Sequence, residues 1–392
     1  MIGGGPVGSR VAYRLADMGK RVIILEQKAS LAGPVCCTGI ISQECVSRFA
    51  IDRSLIIKEA NSARVFSPSG RLLSLKRTEP QACIVDRSAF NVALAGLAQK
   101  RGVEYVSNAP VKNIDVQNDL VRVKVAAGRP VGGLDVFEAR AVVIAAGSSS
   151  KLVEELGFGR AGDFAMGVQT TVETIGMDEV EVYLGHKIAP AFFAWLVPIS
   201  PRQALVGLLA RYRSGFYLKR LISSLAARGK IASSEAELIF ARVPLKPVSR
   251  TYNKRIIVVG SAAGQVKPTT GGGIYYGLLC ADIAADNLHR ALESDNLSAK
   301  SLSAYEKDWK NKLGRELKVG YWSRKFYELL SDRQIDRIFD IIKANGIDEA
   351  LLKSADLSFD WHGKAVLKLI GHRALSGTLE TIRLPFPSVR RE

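Results

Sequence analysis

The chain has 392 residues, 47% hydrophobic and 24% charged, with a formal net charge of +17. That is the balance of a globular protein with room for two or three domains. No apolar run reaches the length of a membrane-spanning helix, the N-terminal stretch is too often charged for a secretory signal, and five cysteines without paired spacing suggest neither a disulfide framework nor a metal site. These features lead us to expect a cytoplasmic protein.

The chain opens with MIGGGPVGSRVAYRLADMGKRVIILE. Gly3, Gly5 and Gly8 form G-x-G-x-x-G, followed by a helical run with Val11, Leu15 and Met18 on one face, a stop at Gly19, an apolar strand at 22–25, and Glu26. The first glycine permits a tight strand-to-helix turn. The second lets a pyrophosphate approach the backbone, and the third lets helix and strand pack closely. Unpaired N–H groups and the positive dipole end of the helix face the phosphates. Glu26 can accept hydrogen bonds from both hydroxyls of an adenosine ribose and would repel a 2′-phosphate, which favours FAD or NAD over NADP. A second match, Gly157, Gly159 and Gly162, follows a helical segment, lacks the strand and acid, and reads as loop glycines. Only Met1 and Ile2 precede the first motif, where roughly five strand residues are usual, so the expectation is a start further upstream.

A loop at 33–42, GPVCCTGIIS, has the small residues that let backbone approach a ring system; its adjacent Cys36 and Cys37 read either as free thiols beside a redox cofactor or as plain buried cysteines. Residues 63–83 alternate around Pro68, Ser69 and Gly70, which predicts a β-hairpin. A strand end, helix and strand follow, with Asp86 or Ser88 to cap the helix and Arg87 at its entry, placed to hold a phosphate. Residues 111–125 predict antiparallel strand. Residues 139–146 predict a buried parallel strand whose end, Ala145, Ala146 and Gly147, lets backbone pass close to a cofactor.

From 163 to 250 longer alternating strands predict a second domain, interrupted by a helix at 215–230. RIIVVG at 255–260 predicts another parallel strand, then a Gly-rich turn and a long helix from near Gly272, whose N-terminus can face an anion or an electron-rich flavin edge. Residues 300–392 read as mostly helical. Trp309, Tyr321, Trp322, Phe326 and Tyr327 lie there among basic residues, as a core face with a solvated back or as a lipid-facing surface. The stretch 199–255 carries twelve Lys/Arg against Glu235 and Glu237 and supplies +10 of the net charge. Attraction to an anionic membrane surface or to a phosphorylated substrate is the sharper reading of it, and a solvated face the plainer one. No nucleic-acid-binding motif accompanies it.

Four motifs, GGGPVGS, PVCCTGIIS, PAFFAWLVP (190–198) and GSAAGQVKPTTGGGIYYGLLCA (from Gly260), together resemble the geranylgeranyl reductase family of flavoproteins, within the larger group that shares the fold of p-hydroxybenzoate hydroxylase. The likeness spans nearly all of 1–330. It implies an α/β and α+β architecture: a Rossmann-like FAD-binding domain (1–62, 84–162 and 253–295), an inserted antiparallel β-sheet substrate domain (63–83 and 163–252), and a C-terminal helical region (296–392). It also implies an extended FAD, with Gly3, Gly5 and Gly8 at the phosphates, Val7 and Glu26 at the adenosine half, and Arg87 and Val111 at the middle. Cys36 or Cys37, Thr38 and Gly39 would line the isoalloxazine, Gly147 would pass close to the cofactor, and Gly273 and Ile274 would meet the pyrimidine edge. Phe192, Phe193, Trp195 and Pro198 would line the substrate cavity. The chain departs from the family pattern at Ser261, where an aspartate usually meets the ribityl chain. It departs also at Phe193 and Val197, which replace the tyrosine and phenylalanine of Y-x-W-x-F-P, and at Gly207, Leu208 and Leu209 in place of G-x-G.

The implied reaction is saturation of isoprenoid C=C bonds in a geranylgeranyl lipid, prenyl diphosphate or quinone tail. It needs hydride from the flavin, a proton for the other carbon, and a long, dry, apolar site. His186 is the nearest candidate donor by sequence, and no motif singles it out. No second dinucleotide unit exists, so the electron donor, NAD(P)H or a ferredoxin, must dock transiently. A flavin monooxygenase of an aromatic or lipid substrate and a flavin- or lipid-binding protein without turnover are the alternatives. Peripheral attachment at the inner face of the membrane is expected through the basic stretch.

Overall fold

The computed structural model describes residues 1–126, 135–148, 151–159, 162–232, 237–353 and 358–365. The chain forms two compact units, each assembled from three segments.

The first unit comprises Met1–Pro34, Arg87–Phe164 and Arg242–Leu317. Strand Ile23–Leu25 pairs in parallel with Glu104–Val106, and Val142–Ile144 pairs in parallel with Ile256–Val258. Ile2 joins these two halves, bridging Leu25 on one side and Ile144 on the other. Its N–H donates to the Val143 carbonyl at 2.9 Å and its carbonyl accepts from Ala145 at 2.8 Å. Strands buried on both faces need continuous apolar sequence, and IIL, VVI and IIV supply it. Beyond this bridge, a cavity of about 490 Å³ is lined by Met1, Val22, Ile23, Ala141, Val142 and Leu292 among others. Helix Pro6–Asp17 carries its buried residues Val11, Ala12 and Leu15 on one face, and packs on helices Arg87–Gln99 and Ile274–Glu293. Arg10 reaches Asp282 at 2.7 Å across that helix pair. The antiparallel strand expected at 111–125 is present as a hairpin of Val111–Val116 and Val121–Val125, with Val136–Ala139 as a third antiparallel strand. Val121, Val123 and Val125 are buried and alternate with exposed Arg122 and Lys124, the two-residue period of a half-buried sheet.

The second unit comprises Val35–Asp86, Ala165–Ala241 and Lys318–Glu392. Its sheet runs Ile239–Pro244, Phe164–Glu173, Gln203–Ala210, Phe193–Ser200, Val180–Leu184, Ser62–Phe66, Leu72–Lys76. The expected antiparallel order needs one correction: Ser62–Phe66 lies parallel to Val180–Leu184, because the hairpin arrives from a separate passage of the chain. The hairpin itself turns at 67–71 as predicted. Helix Ser214–Ala227 lays Leu218, Leu221, Ile222 and Leu225 on one sheet face, against Ala194, Leu196, Ala204, Val206 and Leu208. Helix Asp332–Ala344 begins with a capping box between Ser331 and Gln334 and packs Ile335, Phe339 and Ile342 with Phe326, Leu330 and Leu73.

The two units divide the chain differently from the domains read in the sequence. Residues 35–62 fall in the second unit, because Ile40–Ser42 and Ile56–Ala60 both pair with Ala82–Val85. The C-terminal helices do not stand apart. Helix Ala299–Leu329 belongs to the first unit through Leu317, where Tyr305 donates to the Val258 carbonyl at 3.0 Å and the Trp309 indole donates to Thr251 at 2.9 Å. Trp309 and Phe326 are therefore core residues. Among the described residues no helix is long and apolar enough to cross a membrane.

Candidate active site

In the first unit the glycine motif leaves almost no room inside and open space outside. Gly3 has φ +94°, and a Cβ there would stand 2.6 Å from the Ala145 carbonyl oxygen; at Gly8 it would stand 2.0 Å from the Gly3 carbonyl oxygen. At Gly5 a Cβ would meet nothing within 4 Å, so that backbone faces free space at the helix entry. Glu26, buried at the end of strand Ile23–Leu25, accepts from Gly4 N–H at 2.7 Å and from Lys28 N–H at 2.9 Å. Its carboxylate thus ties the motif to the strand end. Val7 packs its side chain against Gly260 and Gly277, where a Cβ would come within 3.0 and 2.6 Å of it.

Gly147 has φ +72° at the end of strand Val142–Ile144, and a Cβ there also meets nothing within 4 Å. Ser261 sits in the turn Gly260–Ala263, and its Oγ lies 3.3 Å from where a Cβ on Gly273 would stand. Gly273 and Ile274 open helix Ile274–Glu293, so Ser261 is at a helix N-terminus. Gln265, which the sequence reading passed over, holds this turn: its carbonyl accepts from Gly260 N–H at 2.7 Å and its amide donates to Tyr305 at 2.9 Å. Arg87 begins helix Arg87–Gln99, and its buried Nε and Nη1 have no hydrogen-bond partner. Val111 opens the hairpin strand and packs on the first unit's core.

These features fit a dinucleotide. Gly5 presents backbone to open space, and the unsatisfied Arg87 donors suit a phosphate, the group a guanidinium fork recognises best. An aspartate in place of Ser261 would add a charged acceptor at a helix N-terminus. Ser261→Asp is expected to keep the fold and tighten FAD binding by about tenfold, from a charged hydrogen bond worth ~1.5–3 kcal/mol against ~0.5–1.5 for a neutral one. Equilibrium titration of the apoprotein checks it; unchanged affinity places the ribityl contact elsewhere.

In the second unit the loop with Cys36, Cys37, Thr38 and Gly39 is joined to the tryptophan strand. The Trp195 indole donates to Gln169 Oε1 at 3.3 Å, and the Gln169 amide donates to the Cys37 carbonyl at 3.3 Å. Gln169 was missed in the sequence, although a single amide within the apolar strand Phe164–Glu173 was the available signal. Trp195 lies against Gly207, where a Cβ would stand 2.5 Å from its ring. Gly39 has φ +71°, and its carbonyl accepts from Val85 N–H at 3.0 Å. Thr38 Oγ1 turns back toward Ile40 N–H.

Burial pushes the Cys36 thiol up to about 12, with the neighbouring Cys37 adding to the shift. It is a neutral thiol at physiological pH, and thiolate is the reactive form. Cys36 is therefore expected to resist iodoacetamide at pH 8 in the folded protein and to react after denaturation, as read by peptide mass spectrometry.

The predicted cavity wall divides. Phe193 and Trp195 share one face of strand Phe193–Ser200 and are partly open, with ring centroids 5.9 Å apart. Phe192 and Pro198, assigned to the same wall, are buried. Pro198 has the parity of Ala194 and Leu196, whose side chains face helix Ser214–Ala227. Phe192 precedes the strand, is 0% exposed, and lies under Arg211 and Arg324. His186 Nδ1 is 2.9 Å from Asp332 Oδ1, which also accepts from the His186 backbone N–H. It holds the start of helix Asp332–Ala344.

Glycine cradle, buried acid and unsatisfied arginine beside a parallel sheet define a dinucleotide-binding protein, and its likeness to known proteins makes it an FAD-dependent oxidoreductase. A family model described as FAD dependent oxidoreductase matches residues 77–179. Digeranylgeranylglycerophospholipid reductase 2 of Methanothermobacter thermautotrophicus is 30% identical over 357 residues, covering 86% of this chain and 89% of that one. The digeranylgeranylglycerophospholipid reductase of Methanocaldococcus jannaschii is 27% identical over 366 residues, covering 89% and 91%. A geranylgeranyl bacteriochlorophyll reductase-like structure from Thermoplasma acidophilum superposes with a TM-score of 0.83 at 24% identity over 97% of both chains. The flavin-dependent halogenase CmlS does so with a TM-score of 0.67 at 18% identity, over 94% of this chain and 75% of that one. The chain belongs to the geranylgeranyl reductase family.

Proposed function

We propose that the protein saturates the C=C bonds of geranylgeranyl chains carried on a glycerophospholipid. The observation that carries this reading is the hydrogen-bonded path from Trp195 through Gln169 to Cys37, which fixes a partly open aromatic face to the loop assigned to the isoalloxazine. FAD, when bound and reduced, supplies the hydride. Arg87 and the backbone at Gly5 hold its phosphates, and Ser261 and Gly273 stand at the helix end assigned to its ring. Phe193 and Trp195 bind the isoprenoid and exclude water, which protects the reduced cofactor from side reactions. An isolated alkene offers no oxygen to hydrogen-bond, so an aromatic, apolar wall is the matching surface. The electron donor, NAD(P)H or a ferredoxin, docks transiently.

The test is anaerobic. The bound flavin is reduced, digeranylgeranylglycerophospholipid is added, and flavin reoxidation is followed together with the lipid's gain of two hydrogens per double bond by mass spectrometry. Reoxidation only by oxygen with an aromatic substrate would replace this reading with a monooxygenase. No reoxidation by any acceptor would leave a binding protein.

The substrate's residence in a bilayer asks for a membrane-facing surface, and the second unit offers one. Tyr212, Phe216 and Phe240 are 65%, 45% and 53% exposed. Arg213 and Arg220 lie over the Phe216 ring at 4.6 and 5.7 Å, and Lys219 is exposed on the same helix. Phe240 packs on Gly215 in the first turn of that helix. Aromatics interleaved with basic residues suit an anionic interface at the cytoplasmic leaflet. Not all of the basic stretch contributes. Arg211 binds Glu328, Lys230 binds buried Glu181 at 2.5 Å, and Arg255 caps the Asn118 and Arg140 carbonyls. The protein is expected to sediment with anionic vesicles and to be released by ~0.5 M salt, as the screening length shrinks below that of physiological solution. Reversing Arg213, Lys219 and Arg220 should abolish sedimentation while leaving FAD bound. Equal binding to neutral vesicles would count against this surface.

A further inference from the structure

A second concentration of positive charge lies in the second unit. Arg324, on helix Ala299–Leu329, is only 5% exposed. Its guanidinium carbon is 3.9 Å from the Phe192 ring centroid and 4.7 Å from that of Tyr327. Tyr327 in turn donates to the Phe192 carbonyl at 3.2 Å, so the three side chains form one packed group. The Nε and Nη2 atoms of Arg324 are buried without a hydrogen-bond partner.

The nearest carboxylate is Glu328, 3.9 Å from Arg324 Nε. That carboxylate is already engaged, by Arg211 and by Lys325 at 3.4 Å. Three cations therefore share one carboxylate in a largely buried place. Burial pushes the Arg324 guanidinium down to about 10, yet it stays charged at neutral pH. A buried cation stacked on aromatic rings recovers part of its lost hydration, but its N–H donors still lack acceptors. A guanidinium fork matches a phosphate in both geometry and charge.

We propose that Arg324, flanked by Arg211 and Lys325, binds a phosphate ester at the polar head of the substrate. The inference deepens the prenyl-lipid reading and rests on it. Phe192 immediately precedes the strand that carries Phe193 and Trp195, so head-group recognition and the aromatic wall belong to one motif. The shared chemistry is a phosphate anion with an isoprenoid tail, either the phosphodiester of a glycerophospholipid or the diphosphate of a prenyl alcohol.

The experiment uses the FAD-loaded protein, Arg324→Met and Arg324→Lys. Inorganic pyrophosphate is expected to raise the melting temperature of the unsubstituted protein. Without anion, Arg324→Met should melt as high or higher, because replacing a poorly compensated buried charge by an apolar side chain relieves its desolvation. It should show no pyrophosphate shift, and calorimetry should give binding weaker by about tenfold or more, the loss of one charged hydrogen-bonding group. Arg324→Lys should fall between the two. Activity then separates the sources. If the ligand is a phospholipid head, the dephosphorylated digeranylgeranylglycerol has a higher KM than the phospholipid with the unsubstituted protein, and Arg324→Met erases that difference. If it is a prenyl diphosphate, the same comparison between geranylgeranyl diphosphate and geranylgeraniol shows it. Either result supports the site. A destabilised Arg324→Met that retains the full pyrophosphate shift would reduce Arg324 to a packing element and overturn the proposal, as would absence of pyrophosphate binding to the unsubstituted protein. Arg324-dependent anion binding without flavin reoxidation by any prenylated compound would leave the anion site standing and defeat the substrate reading instead.

Discussion

Gly8→Ala is expected to yield a folded protein that purifies without its yellow cofactor. The new Cβ would stand 2.0 Å from the Gly3 carbonyl oxygen and 3.4 Å from the Ala145 Cβ. The closer neighbour is backbone, so no flexible side chain can yield. Gly3 cannot retreat either, since its own position leaves 2.6 Å between a Cβ and the Ala145 carbonyl oxygen. The start of helix Pro6–Asp17 must therefore lift away from the sheet. Overpacking of this kind costs ~1–3 kcal/mol in stability, which a domain of this size survives. Cofactor binding is expected to suffer more, because the displaced amides are those proposed to hold the phosphates. Loss of two charge-assisted hydrogen bonds at ~1.5–3 kcal/mol each amounts to about a hundredfold weaker binding or more. Flavin absorbance per mole of protein after dialysis, beside far-UV circular dichroism, measures both effects. A yellow Gly8→Ala protein at full occupancy would show that close helix–strand packing does not shape the phosphate cradle.

Gly207→Ala is expected to do the opposite, retaining FAD and losing turnover. A Cβ there would lie 2.5 Å from the Trp195 ring and 2.7 Å from the Val168 carbonyl oxygen. The indole must move, and with it the hydrogen bond to Gln169 and the support of Cys37. Displacing a positioning group by about 1 Å can cost ~10²-fold in rate, and a loss of that order is predicted for prenyl-lipid reduction. Trp195→Leu in the same chain removes the clash with the ring and leaves the one with the Val168 carbonyl. The double variant should therefore regain part of the stability lost in Gly207→Ala without regaining its rate, a non-additivity expected of residues in contact. Full activity in Gly207→Ala would remove Trp195 from the substrate wall.

Local sequence carried the dinucleotide unit well. Gly3, Gly5, Gly8 and Glu26 have fixed spacing because one turn and one strand end set it, and the strands at 111–125, 139–146 and 255–260 announced themselves by burial period. The cavity wall was less legible. PAFFAWLVP reads as one apolar run, and only strand parity separates Phe193 and Trp195 from Pro198. Phe192 is buried by Arg324, more than a hundred residues away, which no local pattern contains. The same holds for residues 35–62: their strands pair with Ala82–Val85, while the composition of the loop resembles that of the dinucleotide half. Gln169 escaped notice because its importance lies in two partners from distant segments, Trp195 and Cys37.

The three-segment construction of the first unit has a consequence for how the protein is made. Met1–Gly3 sits at the centre of its sheet, yet the strand that Ile2 meets at Ile144 and the helix that Arg10 meets at Asp282 are synthesised much later. Until residues near 290 have left the ribosome, helix Pro6–Asp17 has no long helix to cover it, and the apolar strand Ile23–Leu25 lacks half its sheet. Closing loops of this length is entropically costly and slow, and it leaves strand edges exposed in the meantime. Assembly of this unit must therefore wait until its third segment, Arg242–Leu317, has been made. Recombinant yield should consequently respond to growth temperature and chaperone supply more sharply than the stability of the finished protein would suggest.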